Sequence, residues 1–232
     1  MSASYKFIVT AEHASAEIPN SLKLALQTYA ASCETHQVYD PGTKAIAEEL
    51  AHKLSCPLIL GQFSRLAVDL NRSIGNPSQF SPIVYDLCES EKARLLTEIF
   101  IPFRAEARRS IEAAQHEDCT VVHLSIHSFT KTFQGKRRDV DLGILFDDQR
   151  PAEEAFSKKL LKLLKIVLPD LEIRPNEPYH GREDGHTTAL RKRYPESKYI
   201  GIELEFSQAL DLDLDGESYA TILAKALKAV TR

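Results

Sequence analysis

Thr120–Ile126 reads TVVHLSI, and His127 and Ser128 follow at once. The stretch is short, apolar and β-branched, which predicts a strand. Side chains two residues apart on a strand share a face, so His123, Ser125 and His127 point the same way. His127 comes at the carboxyl end, where α/β proteins collect functional side chains. His123 lies further back and reads as a core residue.

Outward from this strand, four segments share its character: Lys6–Thr10 (KFIVT), Pro57–Leu60 (PLIL), Asp141–Phe146 (DLGILF) and Tyr199–Phe206 (YIGIELEF). Leu66–Leu70 is another short apolar segment. Helical spacing separates them. Thr43–Leu54 puts Ile46, Ala47, Leu50 and Leu54 on one face, with Thr43 placed to cap it and Glu48–His52 on the wet side. Ser21–Ala31, Ala152–Leu168 and Asp215–Arg232 are further helices, and Ser90–Ala114 is a long one with a bend expected at Pro102. Strands alternating with helices predict an α/β fold: a central mixed, mainly parallel sheet flanked by helices. Asn71–Tyr85 and Pro175–Tyr194 read as irregular, and long loops in compact proteins tend to be functional. No repeat, low-complexity tract or linker divides the chain, so residues 1–232 read as one domain.

Composition narrows the function. An apolar fraction of 43% supports a sizeable core, and a net charge of −4 gives no general attraction to nucleic acid or acidic membranes. The basic cluster Lys136-Arg137-Arg138 reads as a solvated face. No run reaches the roughly 18 apolar residues of a spanning helix, and Met1–Tyr5 lacks the start of a secretory signal. Cys33, Cys56, Cys88 and Cys119 form no CxxC pair, which argues against a disulfide framework or a thiolate zinc site. They read as buried thiols, and the expected compartment is the cytoplasm. The expected partner is a small molecule rather than nucleic acid or a membrane, and the oligomeric state is left open.

The residues after each strand carry the chemistry. Glu12 and His13 follow the first; Arg65, Asp69, Asn71 and Arg72 follow PLIL; His127 follows TVVHLSI; Glu203 and Glu205 close YIGIELEF. Histidines and a carboxylate can hold a catalytic zinc with a position open for water. A further carboxylate can move the water's proton to a leaving nitrogen, and an arginine can hold an oxyanion or a substrate carboxylate. Asp40 reads equally as a ligand or as a residue at the start of the Thr43–Leu54 helix. Asp69 reads as a structural partner for Arg65 or Arg72. No HExxH motif is present. Ser128 lacks a G-x-S-x-G elbow, which sets a serine nucleophile aside. His180 and His186 lie in the polar stretch and could reach a pocket; His36, His52 and His116 look peripheral.

Six colinear segments resemble the N-formylglutamate amidohydrolase family. Glu12-His13-Ala14-Ser15 with Pro19 is similar to its (D/E)-H-A-S-N-x-x-P, with Ala16 where that family usually has Asn. His36–Gly42 is similar to H-x-x-(W/Y)-D-x-G, and Ser64–Arg72 to S-R-L-x-x-D-x-N-R. Ser125–Thr130 matches S-I-H-S-F-T, Asn176–Tyr179 matches N-E-P-Y, and Glu203-Leu204-Glu205 resembles its late E-x-E strand. The resemblance implies a zinc-carboxypeptidase-like fold, shared with aspartoacylase, and a zinc-activated water attacking an amide carbonyl. It implies His13 and His127 as ligands of one divalent metal. Asp40 is the first choice for the third, with Glu12 and Glu17 as alternatives. It further implies Glu205 as general base in preference to Glu203, Arg65 at the oxyanion or a second carboxylate, Asn71 and Arg72 on a substrate carboxylate, and Asn176, Tyr179 and Arg182 lining a substrate loop. The expected substrate is an N-formyl or N-acyl amino acid. A carboxypeptidase or amidase acting on small peptides or cell-wall fragments is the alternative. So is a metal-free binding protein, which Ala16 keeps open.

Overall fold

The computed structural model describes residues 4–115 and 119–231; His116 lies outside them. Six strands form the main sheet: β1 (Tyr5–Ala11), β2 (Leu58–Leu60), β3 (Thr120–Phe129), β6 (Leu142–Leu145), β7 (Ile173–Pro175) and β8 (Tyr199–Ser207). Their spatial order is β2-β1-β3-β8-β6-β7. β2, β1, β3 and β8 run parallel; β6 pairs antiparallel with β8 and parallel with β7. The sheet is thus mixed and mainly parallel, with helices on its faces. A separate hairpin joins β4 (Thr132–Phe133) to β5 (Lys136–Arg137).

Strand alternation divides the sheet into two faces. On one, Val9, Ala11, Val122, Leu124, Ile126, Ile202, Leu204 and Phe206 are buried in the larger core. Three helices cover it: α3 (Thr43–Leu54), α7 (Pro151–Val167) and α9 (Leu212–Val230). α3 buries Ile46, Ala47, Leu50 and Leu54, the face its spacing predicts. The other face begins apolar. There Ile8, Val121 and Tyr199 pack with Phe103 and Ile111 of α6 (Ile101–Gln115). Further along it turns polar, at Thr10 on β1, His123 and Ser125 on β3 and Glu203 on β8, and this is where the site forms.

Several elements depart from the sequence reading for identifiable reasons. The Ser90–Ala114 stretch is α5 (Glu89–Leu95), a π-helical turn at Leu96–Phe100, and then α6. The irregularity therefore precedes Pro102. Proline has no N–H for the carbonyl four residues back and its ring crowds it, so the preceding turn widens. The short apolar segment Leu66–Leu70 forms a turn, its Leu66, Ala67, Val68 and Leu70 buried, held by Ser64, whose hydroxyl accepts from the Leu66 N–H and donates to the Val38 carbonyl. Thr43 is not the cap of α3. Gly42 occupies that position at φ 78°, and the Thr43 hydroxyl donates to the Asp40 carbonyl at 2.7 Å.

Regular structure also exists where the sequence reads as irregular or is silent. α2 (Thr35–Val38), α4 (Pro82–Tyr85) and α8 (His186–Arg191) are short, and α8 and β7 lie within the polar stretch, whereas α1 (Lys23–Ser32) falls where Ser21–Ala31 shows helical spacing. α8 is fastened by Arg191, which donates to Glu153 Oε1 of α7 at 2.9 Å and to the Gly201 carbonyl of β8 at 2.8 Å. The expectation of buried thiols holds for Cys119 only. Cys88 is exposed and Cys33 and Cys56 are half-buried. No described helix is long and apolar enough to cross a membrane.

Candidate active site

Register explains why polar groups meet at one place. Thr10 pairs with Ser125, which pairs with Glu203; His127 pairs with Glu205. Thr10, Ser125, His127, Glu203 and Glu205 therefore rise from one face, with Glu12 and His13 just beyond the end of β1. A cavity of about 260 Å³ opens there, walled by His13, Asp40, Arg65, His127, Glu203 and Glu205, among others.

His13, Asp40 and His127 are brought together and buried, each with a potential ligand atom within 4.8 Å of the other two. The converging atoms are His13 Nδ1, 3.4 Å from Asp40 Oδ2, and His127 Nδ1, 3.0 Å from the same oxygen. Each imidazole is held from behind through Nε2: His13 by Asp69 Oδ1 at 2.7 Å, His127 by Ser125 Oγ at 3.0 Å. Histidine ligands are generally oriented this way, the far nitrogen bound to a fixed acceptor. Asp40 lies just before α3, its carbonyl accepting from the Thr43 hydroxyl, while its carboxylate faces the two histidines.

The electrostatics suit a cation. Burial opposes charge on His127, yet the hydrogen bond to Asp40 and the charges of Glu205 and Glu12 push it up to about 10. Burial and Arg65 oppose protonation of His13, but Asp69 and Asp40 outweigh them and raise it. Burial alone would raise Asp40 and Asp69; their positive neighbours hold both down. A site whose carboxylates draw protons onto both histidines is equally arranged to draw a divalent ion.

Glu205 differs from the other carboxylates. Burial, with Asp40 and Glu203 nearby, raises it to about 7 against the pull of His127 and His13. Its Oε2 is buried without a hydrogen-bond partner, whereas Glu203 Oε1 is taken by the Thr187 hydroxyl. Arg65 spans the acidic groups, donating to Asp69 Oδ2 from Nη2 at 2.7 Å and to Asp40 Oδ1 from Nη1 at 3.5 Å. Glu12 is not among the groups facing Asp40, and Glu17 is half-exposed or more, away from this wall.

The residues expected around the substrate divide. Asn71, Arg72 and Tyr179 line the cavity. Arg72 Nη1 donates to the Asp184 carbonyl at 2.9 Å, and Asn71 Oδ1 accepts the His186 N–H at 2.7 Å. Asn176 and Arg182 are not on the wall. Asn176, at φ 52°, spends its Oδ1 on the N–H groups of Phe146 and Gly181, so it shapes the loop. Arg182 turns outward to Asp148 at 3.2 Å. His180 lines the cavity; His186 does not, being fully buried and bonded to Glu12. Sequence reasoning missed Phe133, which the β4–β5 hairpin carries to the rim. The Arg138 guanidinium stacks 4.7 Å from the Phe133 ring and 4.9 Å from the Tyr179 ring. Lys136 and Arg137 are solvated as expected, but Arg138 is a half-buried clamp between hairpin and loop.

By fold the chain is an α/β protein whose mixed, mainly parallel sheet is flanked by helices. Residues 5–211 match the family model of N-formylglutamate amidohydrolase, and the chain belongs to that family of amidohydrolases. The gene product Atu2144 from Agrobacterium tumefaciens superposes with a TM-score of 0.83 at 28% identity, over 98% of this chain and 91% of that one. An N-formylglutamate amidohydrolase from Ralstonia eutropha JMP134 gives 0.67 at 14% identity, over 99% and 92%. The apo cell shape determinant protein Csd4 from Helicobacter pylori gives 0.51 at 12% identity, over 98% of this chain and 50% of that one. No curated protein sequence matches the chain.

Proposed function

We propose that this amidohydrolase is zinc-dependent and cleaves the amide bond of an N-formyl or N-acyl amino acid carrying a carboxylate. The carrying observation is the convergence of His13 Nδ1, His127 Nδ1 and Asp40 Oδ2 beside the unpartnered oxygen of Glu205. Two imidazoles and a carboxylate are a donor set that zinc accepts with a coordination position left open. His13, Asp40 and His127 would hold zinc there, and it would supply a water of lowered pKa and a polarised carbonyl. Glu205 takes the proton from the attacking water at Oε2 and delivers it to the leaving nitrogen. Its ordinary pKa, raised toward the working range, fits both halves of that task. Arg65 stabilises charge developing on the carbonyl oxygen. Arg72 and Asn71 face the cavity where a substrate carboxylate would lie, and Tyr179 and Phe133 wall the far side.

The test is metal content after purification without added metal. Near-stoichiometric zinc in the wild type, lost in both His13→Ala and His127→Ala, is expected. A wild type that takes up none, even when zinc is offered, returns the chain to the metal-free binding reading.

One observation favours larger amides. A groove of about 790 Å³ adjoins the cavity, sharing His36, Arg65, Arg72, Phe133 and Tyr179, and runs past Tyr29, Phe80 and Tyr85. A formyl group would leave it unused. Rates on N-formylglutamate, longer N-acyl glutamates and short peptides separate the readings. Highest kcat/KM on the formyl substrate supports the small-molecule reading, and preference for peptides supports the alternative.

A further inference from the structure

A second cluster lies behind the first. Glu12, His123 and His186 are buried, with potential ligand atoms within 4.8 Å of one another. Their hydrogen bonds point to a role other than holding an ion. Thr10 Oγ1 donates its single proton to Glu12 Oε1 at 2.8 Å. The same oxygen lies 2.8 Å from His123 Nε2, so His123 is the donor there. That leaves His123 Nδ1 to accept the Tyr199 hydroxyl at 2.7 Å. His186 Nδ1 donates to Glu12 Oε1 at 2.7 Å. On the other arm Ser125 Oγ donates to Glu12 Oε2 at 2.7 Å, so it must accept from His127 Nε2 at 3.0 Å. Every proton in the network points toward Glu12. A hydroxyl has one proton to give, and once the carboxylate takes it the direction of each remaining bond is set.

We infer that Glu12 is a positioning residue: acting through Ser125, it fixes the proton of His127 on Nε2 and so commits Nδ1 to the metal. The inference rests on the zinc reading above. The two histidines are thus oriented by different means. His13 meets its carboxylate, Asp69, directly at 2.7 Å, while His127 reaches Glu12 through an interposed hydroxyl. His127 Nε2 is itself 3.5 Å from Glu12 Oε2, too long for a good direct bond. The relay therefore passes through Ser125, and its other arm, Thr10–His123–Tyr199, orients Glu12 from the core.

The experiment measures zinc affinity by competition with a chromogenic chelator, with thermal melting of the chelator-stripped proteins alongside. Ser125→Ala and Glu12→Gln are each expected to weaken zinc binding about 10- to 100-fold. Ser125→Thr, which keeps the hydroxyl, recovers most of the loss. The double variant binds no more weakly than the poorer single one, because both break one path. A merely structural role lowers the melting temperature and leaves affinity unchanged. Should Glu12→Gln fail to fold, the Ser125 pair carries the test. Wild-type zinc affinity in Ser125→Ala overturns the relay and leaves the metal centre standing, as do fully additive losses in the double variant. A wild type that binds no zinc overturns the metal reading and the relay with it.

Discussion

Glu203 and Glu205 differ by one strand period and share a face, so strand parity alone does not separate them. Their surroundings separate them: Thr187 occupies Glu203, while Glu205 keeps an unpartnered oxygen. Glu205→Gln should cut kcat by about 10²- to 10⁴-fold, the usual contribution of a proton-transferring side chain. Zinc content should stay at the wild-type level. Loss of zinc in that variant would make Glu205 a ligand instead, and unchanged kcat would remove it from the chemistry. His13, Asp40, Arg65, His127 and Glu205 were legible in the sequence because each follows a strand or sits in a recognisable motif. The relay residues Thr10 and Ser125 were not, since their meeting depends on the β1–β3 register, which pairs Thr10 with Ser125. Strand parity gives the face of a side chain but not its neighbour across the ladder. Asn176 and Arg182 illustrate the converse: a place in a motif, as for Asn176, or close after one, as for Arg182, does not give a side chain's direction, and both turn from the cavity to shape or anchor the loop.

At the scale of elements, strands and helices with clear periodicity were readable, and α3 matches its expected span. Short elements were not. β7 has three residues and α8 six, so neither develops a period, and their pairings supply what their own sequence lacks. The turn into α3 is the element on which the site depends most. Gly42 has φ 78°, and a Cβ there would stand 2.4 Å from the Leu212 Cβ of α9. Left-handed backbone disfavours alanine, and the contact requires α3 and α9 to separate. Gly42→Ala should therefore cost about 1–3 kcal/mol from backbone strain, before any cost from the contact. Asp40 lies two residues before Gly42, so the same substitution should weaken zinc binding as well. Denaturant unfolding of the stripped protein and chelator competition measure the two effects. Lost stability with intact zinc affinity would show that Asp40 is held independently of the turn.

Across the molecule, the three proposed ligands come from distant parts of the chain: His13 past β1, Asp40 before α3 and His127 near the end of β3. Each belongs to a segment packed into the sheet or against it, and Asp40 is joined to both histidines by hydrogen bonds. An ion bound by all three ties these segments in the folded chain and finds no such arrangement in the unfolded one. Zinc should then stabilise the whole fold by an amount that grows as the logarithm of one plus the ratio of free zinc to its dissociation constant. At free zinc about 100 times the dissociation constant, the gain is about 2.7 kcal/mol. For a chain of this size that corresponds to a rise in Tm of roughly 5–10 °C, taking about 2–4 °C per kcal/mol. Calorimetry with and without chelator measures it. His13→Ala and His127→Ala should lose the zinc-dependent increment, because a site missing one ligand no longer couples its segment to the others. The increment should also spread beyond the cavity, since β1 and β3 lie side by side within the sheet and α3 packs over them. Hydrogen exchange can locate it. Protection gained along β1, β3 and α3 together would mark an ion that braces the central sheet. Zinc that binds tightly but leaves both Tm and exchange unchanged would place the ion outside this centre.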